Sequence, residues 1–234
     1  RSAEELAAFV SKLRVYTISD QDDSGPWIRK EFPDLFYIVS PGFDMGGAYH
    51  HATWSGISGD YFHARCDGAD FTLVTNEWLN HNIRRKGPLG AEYPFWEFLM
   101  EGDTPSFLYV LPNGLNEPEH PSFGGWGGYF IWGTGPDNAT KAYVNQPGTP
   151  AHTISRKYET RFYRAIFNDF AARMDWTVKG FEDANHNPAI VVNGQGGKEP
   201  IRMDAEVGQG IHVDAAGTQD PDGDALRYHW FLYA

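Results

Sequence analysis

Apolar residues at the start of the chain recur first with a helical and then with a strand-like period. One helix face is apolar at four positions: Leu6, Phe9, Val10 and Leu13. Because Ser2 stands at the N-cap position and Glu5 three residues later, this spacing predicts an amphipathic helix. Two strand-length runs follow, Arg14–Ile18 and Leu35–Val39, with a short helix expected over Trp27–Phe32 between them. This alternation predicts an α/β fold with a parallel sheet.

Helical patterns recur further along the chain. The run Phe71–His81 fits one helix, and Thr104 followed by a proline is a typical start for a helix that ends before Pro112. Helical spacing is clearest between Arg156 and Trp176, which we expect to form one helix. Residues 116–150 are rich in Gly, Pro and Trp and predict a long loop region.

Short β-like runs replace the helical pattern near the C-terminus. A turn-rich linker ends at Pro188, and four such runs follow it: Ala189–Asn193, Ile201–Ala205, Gly210–Asp214 and Leu226–Leu232. We therefore expect two domains, residues 1–183 and residues 184–234. The second resembles only part of a β-sandwich, because such a domain needs about 100 residues.

The composition excludes several classes of protein. The 234 residues carry a net charge of −12 and a single cysteine. Nucleic acid is therefore not the expected partner, since phosphate binding needs clustered Lys and Arg, and a multi-cysteine zinc site is impossible. No apolar run approaches the length, about 20 residues, that a membrane span needs. Aromatic residues make up 15% of the chain, an excess that suits a sugar-binding surface as well as a core.

Acidic residues cluster at two places where a site is expected. Asp20, Asp22 and Asp23 follow the first predicted strand, and ligands of parallel sheets bind at the carboxyl ends of strands. These carboxylates either bind sugar hydroxyls or a hard cation, or form a turn and cap the next helix. Glu101 and Asp103 precede a predicted helix whose dipole favours a negative charge there, although an ordinary acidic first turn has the same pattern.

A glycine-rich loop surrounds one tryptophan. Asn113 and Asn116 lead towards Trp126, which has two glycines on each side. Such glycines would let the backbone approach a ligand and expose the indole to a sugar, so these three residues are candidates for substrate binding. The alternative is a tight turn with the indole as a plug. The acidic run Asp220–Asp224 is likewise either a calcium loop or, more commonly, the turn before a core strand.

Several long strings make the chain similar to one bacterial and fungal family. The strings are RVYTISDQDDSGPWIRKEFPDLFYIVSPG (Arg14–Gly42), GPLGAEYP (Gly87–Pro94), EGDTPSFLYVLPNGLNEPEHP (Glu101–Pro121), and DFAARMDW (Asp169–Trp176) followed by DANHNP (Asp183–Pro188). The chain resembles nucleoside hydrolase-like proteins, often labelled cellulose-binding, that carry an Ig-like C-terminal domain.

The resemblance implies a Rossmann-like α/β domain of the nucleoside hydrolase type, followed by a partial Ig-like β-sandwich. In nucleoside hydrolases a calcium ion holds the sugar diol and the attacking water, and Asp103 looks like one of its ligands. Those enzymes have a histidine, a proposed leaving-group acid, where this chain has Gly102, which argues against nucleoside cleavage but not against glycosidic cleavage in general. The resemblance also implies a secreted or periplasmic protein, and a chain that begins within the hydrolase-like domain and ends within the Ig-like one.

Our leading hypothesis is a hydrolase that cleaves glycosyl bonds of a plant or microbial saccharide. Asp103 would bind calcium and take part in catalysis, and Glu101 would act as the acid or base. The expected substrate contacts are Asp20, Asp22, Asp23, Asn113, Asn116 and Trp126.

A rival hypothesis is a non-catalytic protein that binds cellulose or another polysaccharide. It would use exposed aromatic rings such as those of Trp126 and Trp132. A third interpretation is a structural module in which the acidic clusters are caps and turns. The sequence leaves the oligomeric state open.

Overall fold

The computed structural model describes residues 2–18, 20–40, 70–97, 100–101 and 104–232. Its helices are α1 (Ala3–Val10), α2 (Ser24–Glu31), α3 (Asn76–Leu79), α4 (Gly87–Ala91), α5 (Pro105–Val110), α6 (Pro150–Arg161) and α7 (Tyr163–Trp176). Its strands are β1 (Arg14–Ile18), β2 (Phe36–Ser40), β3 (Ile131–Thr134), β4 (Lys141–Val144), β5 (Val191–Val192) and β6 (Gln195–Gly196). A π-helical turn (Asn80–Arg84) continues α3, and 3-10 turns lie at Phe71–Leu73, Pro121–Phe123 and Phe181–Asp183.

The main sheet has the strand order β1-β2-β4-β3. Strands β1 and β2 run parallel with Arg14 opposite Phe36, and β4 runs parallel to β2 with Tyr143 opposite Ile38. Strand β3 pairs antiparallel with β4 and places Trp132 opposite Tyr143. The parallel sheet predicted from the α/β alternation is therefore confirmed in the described part of the chain.

The first helix has the predicted cap. Ser2 Oγ accepts a hydrogen bond from the Glu5 amide at 3.1 Å, and the Glu5 carboxylate accepts one from the Ser2 amide at 2.8 Å. This reciprocal pair satisfies two amide groups that the first turn of a helix leaves free.

The next two elements follow the predicted order. Strand β1 has the predicted bounds, whereas α2 begins at Ser24 rather than at Trp27.

Different elements cover the two faces of the sheet. On one face, buried strand residues meet half-buried residues that include Val10 before β1 and Ile28 and Phe32 near α2. On the other face, Ile38 packs with Tyr109 of α5 and with Phe130. The alternation of side chains along β2 thus divides its apolar residues between two clusters.

A further core lies among the helices. Its buried members are Val74, Leu79, Ile83, Met100, Leu108, Leu111, Trp126, Tyr163, Ile166, Phe167 and Met174. The rings of Trp78 and Phe167 lie 4.8 Å apart in an edge-to-face arrangement, which suits the charge distribution of aromatic rings. This core holds α5 and α7 together, and the cavity described below lies beside it.

A buried ion pair joins α2 to the segment after β1 and to the turn before β4. Arg29 is 2% exposed, and its guanidinium donates to the Asp20 carboxylate at 3.1 and 2.8 Å and to Thr140 Oγ1 at 2.8 Å. Asp137 accepts from the Thr140 hydroxyl at 2.6 Å and lies 3.4 Å from Arg29. Burial alone would lower the pKa of Arg29, but the hydrogen bonds and charge of Asp20 outweigh it, so the pKa is raised.

Two strands lie where we expected only a loop. Strands β3 and β4 fall within residues 116–150, and each is too short for its alternation to stand out among the glycines and prolines. The turn between them is held by Asp137 Oδ1, which accepts from the amides of Ala139 and Thr140, and it places Asn138 at φ 57°. The loop prediction is wrong for these residues.

Two predicted helices are divided. Residues 156–176 belong to α6 and α7, because Phe162 leaves the helical region with φ −102° and ψ 7°. The run Phe71–His81 forms a 3-10 turn, α3 and part of the π-helical turn. The side chain of Thr75 starts α3 by accepting from the Trp78 amide at 3.0 Å.

The C-terminal segment does not form the expected sandwich within the described residues. The short strands β5 and β6 pair antiparallel, and Ala189 bridges to Gln219. No strand forms over the described residues of the runs 201–205, 210–214 and 226–232. Ile211 and Trp230 are each 58% exposed, since no second sheet covers them in the part that the structure describes. The domain boundary between residues 183 and 184 stays a prediction.

We expect Arg29→Met to lower the free energy of unfolding by about 3–5 kcal/mol, because it leaves Asp20 buried without its cation. Urea denaturation followed by circular dichroism measures this loss. The control is Arg14→Met, which breaks the exposed Arg14–Glu119 pair at 2.8 Å. That variant should lose less than about 1 kcal/mol, and equal losses in both variants would contradict a structural role for Arg29.

Candidate functional site

The three aspartates after β1 have different roles. The Asp20 side chain is 7% exposed and is held by Arg29, so its burial argues against the expected sugar contact. Asp22 accepts hydrogen bonds from the hydroxyl and the amide of Ser24 at 2.5 and 2.9 Å. Both bonds lower the pKa of Asp22, and the bond from the hydroxyl has the larger effect. Asp23 occupies the N-cap position of α2, but its exposed side chain makes no capping hydrogen bond. Of the three, Asp23 has the carboxylate best placed to meet a ligand.

Glu101 lies at a cavity of about 170 Å³ beside α5 and α7. The polar lining consists of Glu101, Thr104, Asp169 and Arg173, and the aromatic lining of Phe107 and Phe170. Thr104 Oγ1 donates to one oxygen of Glu101 at 2.8 Å, and the Tyr93 hydroxyl donates to the other. Two hydroxyl groups therefore orient this carboxylate.

Tyr93 is a fixed hydrogen-bond donor to Glu101. Burial, together with the hydrogen bond and charge of Glu101, raises the pKa of Tyr93 well above its ordinary value. The phenol therefore keeps its proton and directs it at the carboxylate. The Tyr93 ring is itself held 5.4 Å from the ring of Phe170, which lines the same cavity.

Asp169 is a second carboxylate at this cavity, and the sequence did not single it out. It lies on α7 and accepts from Arg173 Nε at 2.6 Å. A pair four residues apart on a helix has the pattern of an ordinary surface ion pair, so spacing alone gave no signal. The string Asp169–Trp176, already noted for its resemblance, was the available clue. Glu101 and Asp169 together offer two carboxylates of different surroundings to one cavity.

The predicted contacts Asn113, Asn116 and Trp126 belong to the packing of a loop. Asn116 Nδ2 donates to the carbonyl oxygens of Leu108 and Leu111 at 2.6 and 2.9 Å, and its Oδ1 accepts from the Trp126 amide at 2.9 Å. Asn113 Oδ1 accepts from the Asn116 amide at 2.9 Å. Trp126 is 8% exposed and packs in the helical core, so the expectation of an exposed indole is wrong and the plug is observed.

The glycines beside Trp126 serve close packing. A Cβ on Gly127 would lie 2.5 Å from Tyr109 Cβ and 2.7 Å from the Pro105 carbonyl oxygen. Gly128 has φ 114°, a conformation that other residues rarely adopt. Gly127 is therefore required by the close approach of the loop to α5, and Gly128 by its backbone conformation.

The acidic turn near the C-terminus binds the linker. Asp220 Oδ1 accepts from the amides of Asp222 and Asp224 at 2.9 and 3.2 Å. Asp222 accepts from the His186 amide at 2.6 Å and lies 2.8 Å from His186 Nδ1, and these bonds lower the pKa of Asp222. The geometry is that of a turn, as in the commoner of the two interpretations, but no core strand follows it within the described residues 226–232.

The expected calcium ligand Asp103 lies outside the described residues, as does Gly102. In the ranges that the structure describes, no group of three or more His, Cys, Asp or Glu side chains is placed to hold a metal ion. Asp20 and Asp22 are engaged by Arg29 and Ser24. The described residues therefore do not by themselves fit a calcium ion, and calcium stays a prediction that depends on Asp103.

The parallel-dominated sheet and the flanking helices define an α/β protein of nucleoside hydrolase-like fold. The chain belongs to the family described as cellulose-binding Sde182, nucleoside hydrolase-like domain, which matches residues 1–130. The family predicted from the resemblance is thus confirmed, whereas an Ig-like domain is not shown. Within the described ranges, no helix combines the length and apolar character needed to cross a bilayer.

One solved structure supports the same assignment. It is a nucleoside hydrolase-related hypothetical protein from Saccharophagus degradans that is associated with carbohydrate metabolism. The two chains are 33% identical with a TM-score of 0.67, and the match covers 96% of this chain and 50% of the other. The chain therefore spans half the length of that protein. No curated protein matches the chain.

We expect Gly127→Ala to destabilise the protein strongly, because the new methyl group would collide with the backbone of α5. The melting temperature measured by circular dichroism should fall, whereas Gly210→Ala should leave it unchanged, since open space surrounds Gly210. If Gly127→Ala kept its stability but lost carbohydrate binding, the loop would be a ligand site instead.

Proposed function

We propose that the protein hydrolyses glycosyl bonds of a plant or microbial saccharide, with Glu101 as its acid or base group. The observation that carries this proposal is that Glu101 and Asp169 line one cavity. Glycoside hydrolysis commonly uses two carboxylates that flank the scissile bond, one to transfer a proton and one to stabilise positive charge or activate water. Phe107, which is 51% exposed, supplies an aromatic wall against which a sugar ring can lie.

The two carboxylates have surroundings that suit different tasks. Tyr93 and Thr104 orient Glu101 by hydrogen bonds, so it is the group we assign to proton transfer. Arg173 holds Asp169 by a charged hydrogen bond, so Asp169 is the group we assign to stabilising an oxocarbenium-like transition state or directing a water. Neither assignment requires the histidine that Gly102 replaces.

The family description points to the substrate class and the compartment. The matched family is described as cellulose-binding, and the solved relative is associated with carbohydrate metabolism. We therefore propose a polysaccharide as the partner and a secreted or periplasmic location, where such polymers occur. The sugar contact that we retain from the acidic cluster is Asp23, with Asp22 beside it.

A second candidate function is polysaccharide binding without catalysis. Trp132 is 50% exposed on strand β3, and exposed rings of this kind bind sugars without any chemistry.

Glu101→Gln is expected to lower kcat by about 100-fold or more, because the amide cannot exchange the proton that the carboxylate transfers. The assay follows aryl glycosides of neutral sugars, a nucleoside, and reducing ends released from cellulose. The control is Glu92→Gln, an exposed residue near α4. Wild-type rates in Glu101→Gln would overturn the proposed role, and a wild-type protein that cleaves none of these substrates but binds cellulose would establish the second candidate.

Calcium is expected to raise the melting temperature of the wild-type protein and not that of Asp103→Ala. Asp103 would supply a carboxylate, and a cation that binds only the folded state stabilises it. Thermal unfolding in calcium chloride and in EGTA measures the difference, with Asp22→Ala as a separate test of the acidic cluster after β1. An equal melting temperature in both buffers for the wild-type protein would remove calcium from the proposal.

A further inference from the structure

The Glu101 cavity lies between one face of α7 and one face of α5. Positions three and four apart share a helix face, and the described lining residues of α7 have this spacing: Ile166, Asp169, Phe170 and Arg173. The described lining residues at α5 have it too: Thr104, Phe107 and Leu108. The side chains on these two faces therefore decide which ligand the cavity accepts.

One end of the cavity is apolar. Leu108 and Ile166 line it, and both are buried members of the helical core. The Leu108 carbonyl already accepts from Asn116 Nδ2 at 2.6 Å. The Ile166 amide already donates to the Phe162 carbonyl at 2.9 Å. This end therefore offers a ligand apolar surface rather than hydrogen-bonding groups.

The polar groups of the lining lie away from this end. Asp169 and Arg173 follow Ile166 on α7, and Arg173 is about 10 Å further along the helix axis, since each residue rises about 1.5 Å. Thr104 and Glu101 come before α5 and are hydrogen-bonded to each other at 2.8 Å. Within the described lining, the hydroxyl groups of a sugar find side-chain partners only among these four residues.

The volume of the cavity adds a second restriction. At about 170 Å³ it has little more than half the volume, about 300 Å³, of the smallest pockets that enclose drug-sized ligands. This is room for one sugar ring, as at the end of a chain. The hydroxymethyl group is the largest substituent on the ring of a common hexose, and its hydroxyl reaches furthest from that ring. Volume and polarity therefore disfavour the same group.

We propose that the Glu101 cavity selects a terminal sugar that lacks the 6-hydroxyl group, either a pentopyranose or a 6-deoxyhexose. The carbon of the glycosyl bond lies at the carboxylates of Glu101 and Asp169, and the C5 side of the ring packs against Leu108 and Ile166. A hydroxymethyl group at C5 would bury a hydroxyl without a partner, whereas a methyl group or a hydrogen would not. This substrate class rests on the proposed hydrolysis, which by itself leaves the sugar open.

The test compares nitrophenyl glycosides that differ only at C5. The β-D-galactoside, β-D-fucoside and α-L-arabinopyranoside share one ring configuration and carry a hydroxymethyl group, a methyl group and a hydrogen in turn. The β-D-glucoside with the β-D-xyloside, and the α-L-mannoside with the α-L-rhamnoside, give two further series. In a series that the protein cleaves, we expect kcat/KM to be about tenfold or more higher without the 6-hydroxyl group. Equal or higher kcat/KM for the hydroxymethyl sugar would overturn the proposal.

A matched pair of variants tests the apolar end directly. Ile166→Thr should reduce the preference to about threefold or less, because the new hydroxyl group offers a partner to the hydroxyl of the sugar. Ile166→Val has the same shape without the hydroxyl group and should keep the preference. The same ratio in both variants would contradict the packing of the C5 side against Ile166. If circular dichroism showed that Ile166→Thr does not fold, the comparison of glycosides by the wild-type protein would decide.

Binding of the corresponding methyl glycosides separates this selection from the proposed hydrolysis. Saturation-transfer NMR with the wild-type protein should give a Kd about tenfold lower for the sugars without the 6-hydroxyl group. If this preference is present but no nitrophenyl glycoside is cleaved, hydrolysis fails and the selection stands. If the hydroxymethyl glycosides are cleaved as fast as the others or faster, hydrolysis stands and the selection fails. A protein that neither binds nor cleaves any of these sugars would overturn both.

Discussion

The buried guanidinium of Arg29 is the constraint on which the first half of the fold depends. It joins α2 to Asp20 after β1 and, across the sheet, to Asp137 and Thr140 before β4. A buried charge is tolerable only where its partners are in place, so these three segments must assemble together. The same requirement removes Asp20 from the set of carboxylates that a ligand can reach.

Local signals in the sequence predicted the beginning of the fold well. Residues close together in sequence determine both the capping box of Ser2 and Glu5 and the strand Arg14–Ile18. The structure contains both as predicted. Strands β3 and β4 were missed because each is short and gains its stability from a partner across the sheet. Thr140 is 111 residues from Arg29 in sequence, so no local pattern could show that bond.

The candidate site was predictable only in part, for a related reason. Asp20, Asn116 and Trp126 lie in polar or glycine-rich loops, and such loops serve caps and close packing as readily as ligands. Glu101 does line a cavity, but its second carboxylate, Asp169, comes from a helix far along the chain. Sequence pattern finds polar clusters, whereas a site also requires that their side chains line one cavity, which depends on how distant segments pack.

The volume of the cavity limits how much of a polymer it could enclose. At about 170 Å³ it is smaller than the pockets, about 300–1,000 Å³, that enclose drug-sized ligands. Such a space suits a single sugar ring at a chain end, and it offers little area to hold a polysaccharide. The indole of Trp132, which is 50% exposed on strand β3, has the opposite character, because an open ring face can contact a sugar without enclosing it. Retention of a polymer and chemistry on one of its rings therefore call for two surfaces, and the described residues provide a candidate for each.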